Sequence, residues 1–352
     1  MRQGLCGAFA LVLCAAVACA NTVPPKASNA SAPATADSGA LVSEGTLPTG
    51  RQIGDYALAT SGAGSSRASG IDETLLFARN AGLHFDVGIG FTLESLTASA
   101  YPSDPAEPLR LGDPTAFRIV VHSGRVIMSA DELAALLNRY SFAFEGAPLR
   151  RIRITTRDGQ LGFAGQYYRD GWVDFTMHGA LEVENPQTLK FVADEITVAG
   201  HPAAELLAAA HVELDDILDV SANGVVLSGN TIRLHVLDMF PPPAMQLSVR
   251  AAQVRDDGVV LDVDDGVDVP ALEPTSDADS YVLVQGGDVK IMRTVVRGAN
   301  LELLPIDAGM RLNLSLYQYR RQVVAGYFNF ERSPREVFIA RIPNLDTLGS
   351  TP

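Results

Sequence analysis

Residues 125–144 read RVIMSADELAALLNRYSFAF, a strand pattern that becomes a helix pattern at Ser129. Ser129 followed by Glu132 has the capping-box spacing. It predicts a bond from the Glu132 amide to the Ser129 hydroxyl and a Glu132 carboxylate reaching back to the Ser129 amide. Met128 and Leu133 stand where a hydrophobic staple lies. Leu133, Leu136, Leu137 and Tyr140 recur at i, i+3, i+4 and i+7, a single apolar stripe suited to a helix lying on a sheet.

The flanking chain supplies strands for that sheet. Leu83, Phe85, Val87, Ile89, Phe91 and Leu93 alternate with small or polar residues, which predicts one long strand with an apolar face. Residues 101–114 hold four prolines and predict a loop, and residues 117–128 a second strand. After the helix come hairpins. Ile152 and Ile154 lead to a turn at Asp158-Gly159, and Leu161, Phe163 and Tyr167 return from it. Val173, Phe175, Met177, Leu181 and Val183 share one strand face, and residues 189–198 form a strand whose change of parity predicts a bulge. Pro202 opens a second helix pattern over residues 202–219 carrying Leu206, Leu207, Leu214 and Leu218. Asn223-Gly224 and Asp257-Gly258 mark two more hairpins, separated by a stiff Met239-Phe240-Pro241-Pro242-Pro243 connector. An acidic segment at 266–279 reads as a linker, and residues 280–345 as short antiparallel strands that need no helix.

Residues 1–20 carry Arg2 and then an apolar run too short for a membrane span, ending in small residues. That is the form of a secretory leader. Two processing routes stay open. Ala18-Cys19-Ala20 fits cleavage before Asn21, while Ala16-Val17-Ala18-Cys19 resembles a bacterial lipobox that would acylate Cys19, with Ala16 where that pattern has Leu. Residues 21–70 are mainly Ala, Ser, Thr and Pro, a composition that cannot offset its ordering entropy and so predicts a disordered tether. The expected location is the periplasm, with an outer-membrane anchor if Cys19 is acylated. All three cysteines, Cys6, Cys14 and Cys19, fall in the leader, so no disulfide or thiolate nucleophile is expected beyond it. Stability must come from apolar packing, and about 280 residues are enough for one or two cores. A formal charge of −14 speaks against nucleic acid as a partner, but not against apolar contact with lipid.

Catalytic signatures are absent: the chain holds no GxSxG, no GxxxxGK[ST] and no GxGxxG. The six histidines, His84, His122, His178, His201, His211 and His235, show no metal-ligand spacing and read as solvated or capping residues, with His211 bordering an apolar stripe. The acidic run at 262–268 lacks the EF-hand pattern, because Leu261 and Val263 stand where acids are required. Arg150, Arg151, Arg153 and Arg157 form one basic stripe that fits either a solvated strand face or contacts to an anionic headgroup. No catalytic residue, metal or cofactor is expected.

Four stretches carry a resemblance: GRVIMSADELAALLNRY at 124–140, RITTRDGQLGFAG at 153–165, HVELDDIL at 211–218, and VLDMFPPPAMQLSVRAAQVRDDGVVL at 236–261. Over about residues 117–263 the chain resembles the tubular lipid-binding (TULIP-like) proteins, including bacterial envelope members. The resemblance implies non-catalytic lipid binding in a groove, and no catalytic role comes with it.

The combined expectation is an α+β fold, a long twisted antiparallel sheet wrapped around one or two amphipathic helices over residues 71–265, with a further all-β C-terminal part. Leu133, Leu136, Leu137, Tyr140, Phe163, Leu206, Leu207, Leu214 and Leu218 are the expected lining of a groove between helix and sheet. Arg151, Arg153 and Arg157 are candidate headgroup contacts, and Cys19 the candidate lipidation site. The expected partners are a phospholipid or other apolar ligand and, through an N-terminal anchor, a membrane. The alternative is an envelope adaptor or assembly lipoprotein with a closed core that binds another envelope protein.

Overall fold

The computed structural model describes residues 73–348 apart from 87, 204, 206, 208–210, 212, 217–219 and 332–335. The expected leader, Cys19 and the 21–70 tether lie outside the described residues, as do Leu206 and Leu218. Among the described residues no helix is long and apolar enough to cross a membrane.

The run read as one strand is a hairpin. Strand β1 (Thr74–Asp86) turns at Gly88, where φ is +72°, and returns as β2 (Ile89–Pro102). Strand β3 (Phe117–Met128) pairs with β2 and runs into the capping box. There the Glu132 N–H donates to Ser129 Oγ at 3.3 Å, and the Ser129 N–H to Glu132 Oε2 at 2.9 Å. Helix α1 (Ala130–Leu136) is only seven residues long, because the next turn (Leu137–Ser141) widens into a π-helix closed by the Phe142 N–H on the Leu137 carbonyl at 2.8 Å.

A second sheet follows, built from β4 (Leu149–Arg157), β5 (Gln160–Tyr168), β6 (Trp172–Asn185), β7 (Thr188–Val198), β8 (Val225–Ser228) and β9 (Thr231–His235). Its order is β8-β9-β7-β6-β5-β4, with the short strand Ser221–Ala222 beyond β8. At the β4–β5 turn Asp158 and Gly159 both take positive φ, +53° and +77°, as a two-residue hairpin of matching twist requires. The parity change in β7 is a bulge: His178 faces Glu195 and Gly179 faces Ala193, so Asp194 is the extra residue.

The chain then returns to the first sheet as β10 (Val249–Arg255) and β11 (Gly258–Asp264). Strand β12 (Tyr281–Gln285) pairs with the far side of β1, and β13 (Asn300–Pro305) with β12. Helix α2 (Tyr319–Ala325) precedes β14 (Tyr327–Glu331) and β15 (Val337–Ile342). The first sheet therefore runs β10-β11-β3-β2-β1-β12-β13-β15-β14.

This corrects the expected fold. Strand dominates, helices α1 and α2 are seven residues each, and among the described residues no sheet wraps a helix. A seven-residue helix spans about 10 Å, whereas the strands of β2 and β6, at 14 residues each, span roughly 45 Å. The two curled sheets bury their apolar faces against each other in one core that takes Phe85, Phe91 and Ile119 from the first and Leu161, Met177 and Phe191 from the second. Helix α1 packs on β4 and β2 at the side of that core.

Two further expectations are corrected. The helix read across 202–219 is present only in part: Glu205 and Leu207 are helical, with the Leu207 N–H on the Ala203 carbonyl at 2.9 Å, but Pro202 sits in a two-residue strand on β7, His211 takes φ +53°, and Leu214–Asp216 is a 3-10 turn. Left-handed backbone at a non-glycine residue ends a right-handed helix. The part beyond 280 does hold a helix, α2. Its Gln322, 1% exposed, donates to the Asn313 and Pro343 carbonyls at 2.6 and 2.9 Å and accepts from the Ser315 N–H at 2.7 Å.

Residues 266–279 cover the back of the first sheet. Val269, Leu272 and Ala278 pack there on Phe77, Leu283, Leu304 and Ile339. Glu302 is fully buried and fastens the segment by accepting from the Thr275 N–H at 2.9 Å, the Ser276 N–H at 3.2 Å and the Ser276 hydroxyl.

Candidate functional site: two apolar chambers between the sheets

Alternation along the strands aims one residue in two into the space between the sheets. Where the inward side chains meet they do not fill it. The larger chamber has an empty volume of ≈ 970 Å³ counted from wall to wall with its mouth, and carries no polar surface. Leu133 and Leu136 of α1 form its side, Leu161, Leu181 and Leu234 its second-sheet wall, and Phe91, Val121 and Leu261 its first-sheet wall. A second chamber of ≈ 740 Å³, almost equally apolar, is lined by Leu137, Phe163, Met177, Ile196, Leu214 and Ile232 among others. The room left for the centre of a water-sized sphere is much smaller, ≈ 90 and ≈ 60 Å³. The chambers are therefore narrow.

Of the expected lining, Leu133, Leu136, Leu137, Phe163 and Leu214 reach these walls. Tyr140 and Leu207 are half-buried against the same core without lining a chamber. The widest departure is in what faces α1: the cavity lies between two sheets, not between helix and sheet. Met239, Phe240, Met245, Leu247 and Val263, none of them expected as lining, complete the larger chamber. Phe240 stands among Phe85 and Phe91 with ring centroids 5.7 and 5.8 Å away, so the proline-rich connector supplies part of the wall. Proline content had marked it only as a stiff link; the Met-Phe pair ahead of it was the available signal.

Polar groups gather beside that connector. The Tyr317 hydroxyl donates to the Pro242 carbonyl at 3.0 Å. Burial, then Tyr140 and Asp86, push the Tyr317 phenol up to about 12. The Tyr140 phenol is also raised, by burial first and then by Asp238. Asp86 pairs with Arg139 from the π-helical turn.

Asn138 in the same turn closes the edge of the second sheet. Its side chain accepts from the Ile152 N–H at 2.8 Å and donates to the Ile152 carbonyl at 2.7 Å, as a neighbouring strand would. Next to it β4 bulges between Arg150 and Arg153, and Arg151 takes φ +53°. Ile152 and Ile154 face the core, whereas Arg151, Arg153 and Arg157 are exposed on the opposite face and do not converge on either chamber. Arg150 lies over the Trp172 ring, its Cζ 3.8 Å from the centroid.

One polar constellation escaped the sequence. His122, read as solvated, is 7% exposed; its Nε2 lies 2.7 Å from Ser99 Oγ and its Nδ1 2.9 Å from Asp265 Oδ2. Ser, His and Asp in this order suggest a nucleophilic relay. The Ser99 hydroxyl, however, donates to Glu73 Oε1 at 2.6 Å, has no exposed surface and lines neither chamber. A nucleophile must meet its substrate, and Ser99 has no exposed surface at which to do so. The group joins β2, β3 and Asp265, the residue before the 266–279 segment, whose N–H also donates to the His122 carbonyl at 2.9 Å. Its members lie 23 and 143 residues apart, so no spacing rule brings them together.

Among the described residues no group of three or more His, Cys, Asp or Glu is placed to hold a metal. In the acidic run Asp264 and Asp265 accept from the Gly266 and Val267 N–H groups at 2.6 and 2.8 Å, which spends them on turns. His211 is exposed. Comparison with protein-family models, with curated protein sequences and with solved structures finds no match to this chain.

Proposed function

We propose that this protein holds a lipid or another long apolar molecule between its two sheets, without catalysing a reaction on it. The observation that supports this reading is the larger chamber, whose wall is entirely apolar. Ligand sites are lined mainly by apolar side chains, with few polar groups. Burying a sixteen-carbon chain at ~0.8 kcal/mol per methylene supplies on the order of 12 kcal/mol before the cost of ordering it. Such binding needs few polar residues, which agrees with the absence of any catalytic signature in the sequence. In this reading residues 1–20 export the chain to the periplasm and Cys19 anchors it to a membrane.

The narrowness of both chambers favours a second reading. Room of ≈ 90 Å³ for the centre of a water-sized sphere is also what a loosely packed closed core leaves, in a protein whose sheet faces bind another envelope protein. One experiment separates the two. The Cys19→Ala protein, which carries no covalent acyl group, is purified, extracted with organic solvent and assayed for bound lipid by mass spectrometry. Bound lipid, or uptake of added phospholipid by the stripped protein, is the expected result. Protein that is lipid-free as purified and takes up none refutes the lipid reading.

A further inference from the structure

The polar constellation around His122 can be counted in protons. Strand register sets it on the back of the first sheet: Ser99 faces Leu75 on β1, a neighbour of the apolar cluster there, and Tyr101 faces Arg118 on β3. His122 is the unpaired residue of a β-bulge, between Val121, opposite Ala98, and Ser123, opposite Thr97. Three contacts then run in series: Glu73 Oε1 to Ser99 Oγ at 2.6 Å, Ser99 Oγ to His122 Nε2 at 2.7 Å, and His122 Nδ1 to Asp265 Oδ2 at 2.9 Å. Each has hydrogen-bond length, and each needs a proton of its own. The hydroxyl supplies one, a neutral imidazole one, and two ionised carboxylates none. With only two protons, one contact would press lone pair on lone pair where Ser99 is fully buried and His122 is buried too, and water does not replace the missing bond. The surrounding charges favour a further proton. Glu73 and Asp265 flank the imidazole from opposite ends of the series, whereas Arg118 lies over the Tyr101 ring, 4.6 Å from its centroid, and Arg250 donates to the Asp264 carbonyl at 2.8 Å. Tyr101 donates to Glu73 Oε1 at 2.9 Å, and its phenol is raised by burial first and then by that bond.

We propose that the series Glu73–Ser99–His122–Asp265 is a proton-binding site, and that the third proton latches the 266–279 segment onto the back of the first sheet. Asp265 is the last residue before that segment, and its Oδ1 also accepts from the Val267 N–H at 2.8 Å. When the proton leaves for solvent, one of the three contacts opens and the segment loses its anchor at this end. The closed series holds the proton and the opened one gives it up, so opening becomes easier as pH rises, by at most about tenfold per pH unit for one proton. The latch is independent of what the chambers hold.

The test is amide exchange at Asp265 and Val267, followed by NMR from about pH 6 to about pH 9 and corrected for the intrinsic rate. In the unmodified protein protection falls as pH rises, approaching tenfold per pH unit. In Glu73→Gln the side-chain amide supplies the third proton permanently: it donates to Ser99 Oγ, Ser99 donates to His122 Nε2, and His122 Nδ1 donates to Asp265. Protection in that variant is high and level across the range. Ser99→Ala removes two of the three contacts and leaves one that a neutral imidazole satisfies, so its protection is lower and also level. Level protection in the unmodified protein overturns the proposal, whatever the variants do. A fall as steep as the unmodified protein's, in either variant shown by circular dichroism to be folded, overturns it as well.

Discussion

Replacing Leu161 by Phe tests directly whether the space beside it is empty. Leu161 is fully buried, lines the larger chamber and is paired with Thr156 on one side and Gly179 on the other, so on the Gly179 side the added ring carbons have no cross-strand side chain to displace. Room of ≈ 90 Å³ at about 24 cal/mol per Å³ corresponds to about 2 kcal/mol of packing energy that the unliganded fold lacks. A ring that recovers half or more of it raises stability by about 1–2 kcal/mol, and Tm by about 2–4 °C for each kcal/mol. The same ring denies a ligand the contact of about two methylenes, which lowers affinity for an acyl chain roughly fifteenfold. The assay is urea unfolding of stripped protein, read as a higher midpoint at unchanged slope, together with dye displacement by palmitate. If the space is solid, forcing in the ring costs about 1–3 kcal/mol. A midpoint that falls by that amount, with palmitate displacement unchanged or absent, refutes the reasoning.

Asn138→Ala strands the Ile152 N–H and carbonyl at the sheet edge and should cost about 2–4 kcal/mol in chemical denaturation; a loss below about 0.5 kcal/mol would show that water replaces the clamp. Glu302→Gln sets an amide NH2 against the donor at Thr275 or the donors at Ser276, so at least one of their amide protons should exchange roughly 10–100-fold faster, and unchanged protection of both contradicts the fastening role. The Tyr317 phenol ionises at about 12 in the fold against 10.0 for the free side chain. Its contribution is therefore fully present below pH 10, falls as the unfolded state ionises above that, and is gone beyond pH 12. Absorbance titration at 295 nm should show a late phenol that disappears in Tyr317→Phe; a titration curve identical in shape argues against its burial.

What could be read from the chain was local. The capping box at Ser129 and Glu132 and the Asp158-Gly159 turn each depend on residues within four positions of one another, and both are present. The break between β1 and β2 was hidden because Phe85 and Ile89 are buried on both sides of the turn, so the alternation passes through it uninterrupted. Helix α2 was hidden for another reason: Gln322 holds it through carbonyls 9 and 21 residues away, contacts that no periodicity reports. The lining was legible in part. The apolar stripe named Leu133, Leu136 and Leu137, and Phe163 and Leu214 were named across from it, but Met239, Phe240 and Met245 come from a connector whose position depends on the pairing of residues 244–246 with β3.

The sequence by itself determined which side chains turn inward, because strand alternation and helix period are properties of the backbone that any apolar pattern exposes. It also determined where the chain turns at Asp-Gly and Asn-Gly pairs, because positive φ at those positions is paid for locally. Only the tertiary structure decided what the inward faces meet. Two sheets close on each other and leave α1 at their side. Burial favours any arrangement that removes apolar surface from water, so the same inward residues serve a wrapped helix or a pair of facing sheets equally well. Strand register and long-range hydrogen bonds select between the two, and neither is written in a single stretch of chain.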